Sequence, residues 1–117
     1  MITIARVYGY NKIPENYSVL VDRLWPRGIR KDSHLWDEWM PDLAPSHELR
    51  KWFHHDSERF DEFRIHYFRE LEGQQAAVTK ARQLEQKSGT LVLLYAAHDP
   101  EINHARILRE FLCQAKL

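Results

Sequence analysis

The sequence predicts an α/β fold: a small, largely parallel sheet of about three strands, flanked by about five helices in α/β/α layers. Three observations carry this. Thr90 to Ala97 is nearly all apolar and too short for a buried helix, which reads as a strand covered on both faces. Val19-Leu20-Val21 is a second run of the same kind. Between and after them lie amphipathic stretches long enough to cover a sheet on both sides.

Taken in order, Ile2 to Tyr8 alternates and is rich in β-branched residues, a first strand. Gly9 to Asn16 holds a glycine, a proline and two asparagines, a loop. Tyr17 to Leu24 is the second strand, and Leu24 is read with its core side. The loop is short for a helical crossover, so strands one and two form either a hairpin or a parallel pair with an irregular link. Pro26 and Gly28 end the strand. Leu35 to Asp42 is read as a short helix capped by Asp32 or Ser33, with Trp36, Trp39, Met40 and Leu43 at helical spacing and Pro41 closing it. Ser46 caps a further short helix through Phe53. Asp56 or Ser57 begins a longer one to about Glu72, whose Phe60, Phe63, Ile65, Tyr67, Phe68 and Leu71 form a broad apolar face. Gly73 lies just beyond its end. Gln74 to Lys87 carries Ala77, Val78, Ala81 and Leu84 on one face. The last helix is read from Asp99 as cap, with Pro100 in its first turn and Ala105, Ile107, Leu108, Phe111 and Leu112 as its apolar face.

The composition suits a single domain over residues 1–117, with 44% hydrophobic and 29% charged residues. Seventeen basic and seventeen acidic side chains balance, so the chain as a whole is not a general nucleic-acid or membrane-surface binder by charge. With one cysteine, Cys113, there is no intramolecular disulfide and no cysteine metal cluster; the residue is read as a packed thiol. No signal-peptide pattern or membrane-length apolar run appears, and the expected location is the cytoplasm.

In parallel sheets ligands bind outside the carboxyl ends of the strands. Here those ends carry Asp22-Arg23-Leu24-Trp25-Pro26-Arg27 and Tyr95-Ala96-Ala97-His98-Asp99, which converge if the two strands are parallel neighbours. With these motifs, and with VLVDRLWPRGIRKD, LAPSHELRKWFHHD, FDEFRIHYFREL and LVLLYAAHDPEINHA, the chain resembles the YeaO-like family, a bacterial domain family of unknown function. The resemblance covers essentially the whole chain and implies an α/β fold without an activity. A broader set of related domains ends its last strand with a cysteine and an acidic residue and starts its last helix with Cys-His-Arg. The corresponding positions here are Tyr95, His98 and Asn103-His104-Ala105, so both cysteines are absent and no thiol chemistry carries over. That correspondence places Asn103 beside His104 among the ligand-binding candidates.

Arg23, Arg27, Arg30 and Lys31, with Arg50 and Lys51 further on, form the one strong positive concentration. Arginine's planar fork matches phosphate and carboxylate. The first reading is therefore a pocket for an anionic small molecule, phosphorylated or carboxylated. Arg23, Arg27 and Arg50 recognise its charge, and Trp25 and Trp52 form its walls. If the site does chemistry, its acid–base groups are Asp22, Asp99, His55 and His104. The structural alternative pairs these arginines with Asp22, Asp37, Asp42 and Glu48 and uses Asp99 as a helix cap. A second functional reading is a binding module presenting Trp25 to Lys31 to nucleic acid or a protein. The histidine spacings match no metal motif, and no P-loop or GxGxxG fingerprint points to a cofactor.

Overall fold

The computed structural model describes residues 1–114. In chain order its elements are β1 (Ile2–Arg6), β2 (Tyr17–Leu20), β3 (Glu38–Trp39), α1 (His47–Phe53), α2 (Phe60–Glu72), α3 (Gln75–Ser88), β4 (Leu91–Tyr95) and α4 (His104–Gln114). Short 3-10 turns at Pro41–Leu43 and Ser57–Arg59 precede α1 and α2. The strands form one all-parallel sheet in the order β1-β4-β2-β3. The class is α/β as the sequence predicts. Strands β1 and β2 are parallel but not neighbours, because β4 lies between them.

The composition of β4 explains its central place. Leu91 to Tyr95 are all buried, and both backbone edges are hydrogen-bonded, so four aliphatic side chains and one tyrosine are buried without an unpaired ladder edge. Alternate residues serve the two faces. Leu91, Leu93 and Tyr95 join Ile2, Val19 and Val21 against the helices, in a core that also holds Phe53, Phe63, Tyr67, Ile107 and Leu112. Val92 and Leu94 join Val7 and Leu20 on the opposite face, under Tyr10, Ile29 and Trp36.

The layering differs from the expected one. All four α-helices contribute to the first core, and irregular segments cover the other face. Right-handed crossovers account for this. The links β1 to β2 and β2 to β3 move one way across the sheet, are loops, and lie on one face. The link β3 to β4 moves back across it and carries α1, α2 and α3 to the other.

The strongest departure lies between Leu35 and Asp42. Instead of a helix there is an edge strand followed by the Pro41–Leu43 turn. Val19 pairs with Glu38 and Leu20 with Trp39, and Met40 N–H donates to Leu20 O at 2.9 Å. The helical spacing of Trp36, Trp39 and Met40 is coincidental. Trp39 is 39% exposed, and its indole donates to Asp22 O at 2.7 Å. Leu24, read as core, is 65% exposed, because β2 ends before it. Ile65 is exposed on α2, and Cys113 is exposed on α4. The last helix begins at His104, not after Asp99. Asp99 Oδ1 accepts from Glu101 and Ile102 N–H in a separate turn, and Asn103 Oδ1 caps the helix by accepting from Arg106 N–H at 3.0 Å. Ser46 behaves as read: its Oγ accepts from Leu49 N–H at the start of α1. Among the described residues no helix is long and apolar enough to cross a membrane.

Edge strand β3 is held by an acid contact. Asp37 accepts from Ser18 N–H at 2.8 Å and from Ser18 Oγ, and pairs with Lys12 at 2.7 Å. Burial raises this carboxyl, but the Lys12 and Ser18 bonds outweigh burial and hold its pKa below the usual 3.8. A carboxyl depressed in the native state contributes stability above its unfolded pKa and loses it as pH falls through the native one. Urea unfolding of Asp37→Asn between about pH 5 and pH 2 is therefore expected to show a shallower acid loss than the parent chain. Equal slopes would mean that Asp37 does not carry that loss.

Candidate functional site

Strands β2 and β4 are parallel neighbours with Leu20 opposite Leu94, so their carboxyl ends emerge side by side. Asp22 ties them together: its Oδ2 accepts from Ala96 N–H at 3.1 Å. The first residue of α4 closes the same corner. His104 Nε2 lies 2.9 Å from Val21 O and 3.3 Å from Asp22 Oδ1. A carbonyl oxygen only accepts, so Nε2 carries the proton and donates it to Val21. Asp22 Oδ1 is then within Coulombic reach of the imidazole, yet buried without a hydrogen bond.

Above this corner opens a cavity of about 520 Å³, within the range of small-molecule sites. Its lining reaches the buried Phe63 and Phe53, whose rings stack at 4.2 Å. Pro45 and Ala44 form one side, and Ala97, Ile102 and Asn103 another. Arg23, Arg50, Lys51, His47, His54 and His55 supply its polar rim. His54 and His55 both have left-handed backbone, φ 47° and 57°. Non-glycine residues there cost on the order of 1 kcal/mol each, and this turn brings both imidazoles to the cavity after α1 ends.

A shallower depression of about 460 Å³ adjoins the first and shares Asp22, Leu24, Arg50 and Ala96 with it. Arg6, Tyr8, Trp25, Pro26, Arg27 and His98 line the remainder. The Pro26–Gly28 turn is stapled twice. Tyr8 hydroxyl donates to Arg27 O, and Trp25 indole donates to Ile29 O, both at 2.7 Å. Gly28 has φ +76°, a conformation that favours glycine.

Nine sequence candidates are placed as follows. Asp22, Arg23, Arg50, His55, Asn103 and His104 meet at the main cavity, and Trp25 and Arg27 line its neighbour. Trp52 lines neither cavity; it is half-buried, edge-on to His66 and under Arg59. The tenth, Asp99, also lines neither and serves its turn; its two backbone donors hold the carboxyl below the usual range. Arg23 is held structurally, Nε donating to Pro45 O at 3.1 Å and Nη2 to Ala44 O at 3.0 Å. Asp22, read as a partner for Arg23, instead binds Ala96 and faces His104. Both ends of the Asn103 amide are engaged by backbone, Nδ2 donating to Asp99 O.

Sequence reasoning passed over Arg6. It stands at the carboxyl end of β1, where the strand-end rule applies equally, but without a motif around it. Its Nε donates to Ala97 O at 3.1 Å, its Nη2 lies 3.2 Å from His98 Nδ1, and its guanidinium covers the Tyr8 ring. The arginine–carboxylate network of the structural alternative does not form around the cavities among the described residues. Arg6, Arg23, Arg27, Arg50 and Lys51 form no ion pair among the described residues, whereas Arg30, Arg59, Arg64, Arg82 and Arg106 each do. Five cations thus face a single lining carboxylate, Asp22, on a chain of zero formal charge. Among the described residues no three His, Cys, Asp or Glu side chains gather to hold a metal ion.

The family described as the inactive DUF488-N3 subclade matches residues 1–117. The uncharacterised protein Rv3073c of Mycobacterium tuberculosis is 41% identical over 111 residues, 95% of this chain and 92% of that protein. The uncharacterised protein YeaO of Escherichia coli is 39% identical over 111 residues, 95% of this chain and 96% of that protein. No solved structure matches the chain.

Proposed function

The chain belongs to the YeaO-like family and to the inactive DUF488-N3 subclade, and on that premise we propose that it binds a small anionic molecule, phosphorylated or carboxylated, at the carboxyl ends of β2 and β4. The observation that carries the reading is the group of Arg6, Arg27, Arg50 and Lys51, without ion-pair partners among the described residues, around two adjoining cavities whose linings hold one carboxylate. Unpaired guanidinium groups in a concave, partly apolar site favour an anion that brings its own acceptors. Because the cations line cavities, a small ligand fits better than a nucleic-acid backbone.

Binding without turnover is the better-supported form. Asp22 has one oxygen on Ala96 N–H and the other buried, and His104 gives its Nε2 proton to Val21 O. Asp99 holds its own turn outside the cavity. These groups shape the site, and the remaining titratable candidate, His55, is exposed on the rim. The subclade's description as inactive points the same way.

A thermal-shift screen of phosphorylated and carboxylated metabolites tests this. A ligand at about a hundred times its Kd adds about 2.7 kcal/mol of stability, or several degrees in Tm for a domain of this size. Arg50→Ala is expected to remove most of that shift. Its unliganded stability should stay within about 0.5 kcal/mol of the parent, because Arg50 is exposed and its side chain makes no hydrogen bond among the described residues. If no compound raises the parent Tm more than that of Arg50→Ala, the anion-site reading fails.

A further inference from the structure

We infer that the ligand is bipartite: a flat aromatic or heteroaromatic body in the main cavity, carrying a phosphomonoester that sits in the adjoining depression on Arg6, Arg27 and Arg50. This rests on the anion-site reading and specifies the ligand class.

The two cavities differ in chemistry and share Asp22, Leu24, Arg50 and Ala96 in their linings. The main one is lined by Leu24, Ala97 and Ile102, with the buried Phe53, Phe63 and Pro45 behind them. The neighbour has three guanidinium groups, of which Arg50 belongs to both. A simple anion held in the second would leave the larger, partly apolar cavity of about 520 Å³ without a role. An apolar body without charge would leave three cations uncompensated. A molecule with both parts satisfies the two at once.

The charge count selects phosphate over carboxylate. Three guanidinium groups face one carboxylate, and a phosphomonoester brings about −1.5 to −2 charge and three acceptor oxygens at neutral pH. A carboxylate brings half that charge and two oxygens.

The depression is also organised in advance. Arg6 is fixed by Ala97 O, His98 and the Tyr8 ring. The turn bearing Arg27 is stapled by Tyr8 and Trp25, yet the Arg27 side chain itself bonds nothing among the described residues. A rigid turn presenting an unengaged arginine loses little entropy on closing onto a phosphate.

The test is an NMR titration of the 15N-labelled chain with three probes: phenyl phosphate, inorganic phosphate and phenol. Phenyl phosphate is expected to bind at least about tenfold tighter than inorganic phosphate, with phenol weaker than either. Of the four tryptophans only Trp25 lines either cavity, so its indole N–H signal, assigned with Trp25→Phe, should move most. Arg27→Ala should weaken phenyl phosphate about tenfold or more. It should fold normally, since Arg27 is exposed. Equal affinity for phenyl phosphate and inorganic phosphate overturns the bipartite ligand and leaves the anion site standing. So does tighter phenyl phosphate binding that ignores Arg27→Ala. Binding of neither phosphate overturns the bipartite ligand, and the anion site then stands or falls on the thermal-shift screen, carboxylated compounds included.

Discussion

Phe63→Ala is expected to lower the unfolding free energy by about 3–5 kcal/mol, the range for truncating a fully buried phenylalanine. Phe63 is 1% exposed and stands at the middle of an aromatic ladder. It stacks on Phe53 at 4.2 Å and on Tyr67 at 5.7 Å, and Phe60 lies at 6.3 Å. The ladder joins α1 to α2, and Tyr67 fastens it to the Pro41–Leu43 turn by donating to Leu43 O. Removing the ring costs its transfer free energy, leaves a void that close-packed neighbours fill only partly, and detaches α1 from its support. Small domains are stable by about 5–15 kcal/mol, so this single change takes a large share. Phe63→Leu keeps most of the volume and is expected to cost under about 1.5 kcal/mol. Urea unfolding of the two variants beside the parent decides it. A loss below about 1 kcal/mol for Phe63→Ala would mean that the ladder is not the joint between the helices.

What the sequence made legible is what depends on short-range pattern. The apolar runs in β2 and β4 are long enough to show themselves, and their polar ends marked the corner where the two cavities lie, because cavities in parallel sheets open where the strands end. The aromatic face of α2, the Ser46 cap and the start of α3 were likewise local signals. The segment from Leu35 to Asp42 misled, because two residues of edge strand produce no period, whereas Trp36, Trp39 and Met40 happen to match a helical one. The hydrogen bonds that decide it, Asp37 N–H to Ser18 O and Met40 N–H to Leu20 O, join residues about twenty apart in sequence and have no local trace. Asp99-Pro100 gave a strong start signal for a helix, yet Asn103 four residues later is the cap. The Asp99 bonds complete a turn, and tertiary packing of α4 on β1 and β4 sets where the helix begins.

The site shows the same division. Residue types and strand ends placed eight of the ten candidates on the two cavities, but which of them are engaged depends on carbonyls and carboxylates brought in by the fold. Arg23, Arg27 and Arg50 look equivalent in sequence. In the structure one is bonded to two carbonyls, one projects from a stapled turn, and one sits unbonded on the wall that both cavities share. Arg6 and Trp52 are errors of opposite sign: the first had no motif to mark it, and the second was read from its place beside Arg50, which reaches the cavity while Trp52 packs toward His66.

That inequality among arginines sets up the second large effect. Arg23→Ala is expected to destabilise the fold by about 2–4 kcal/mol, because two charge-assisted bonds are lost and their acceptors are left behind. Ala44 and Pro45, whose carbonyls those bonds satisfy, are buried. They lead into α1, so the loss loosens the wall of the main cavity as well. Arg23→Lys keeps the charge but replaces a planar fork, reaching two carbonyls at once, by a single ammonium point. It is expected to recover less than half of the lost stability. Arg50→Ala serves as the contrast, with stability within about 0.5 kcal/mol of the parent and ligand binding lost. If Arg23→Ala also unfolds within about 0.5 kcal/mol of the parent, Arg23 is not the clamp on the Ala44–Pro45 segment, and its guanidinium returns to the pool of cations available to the ligand.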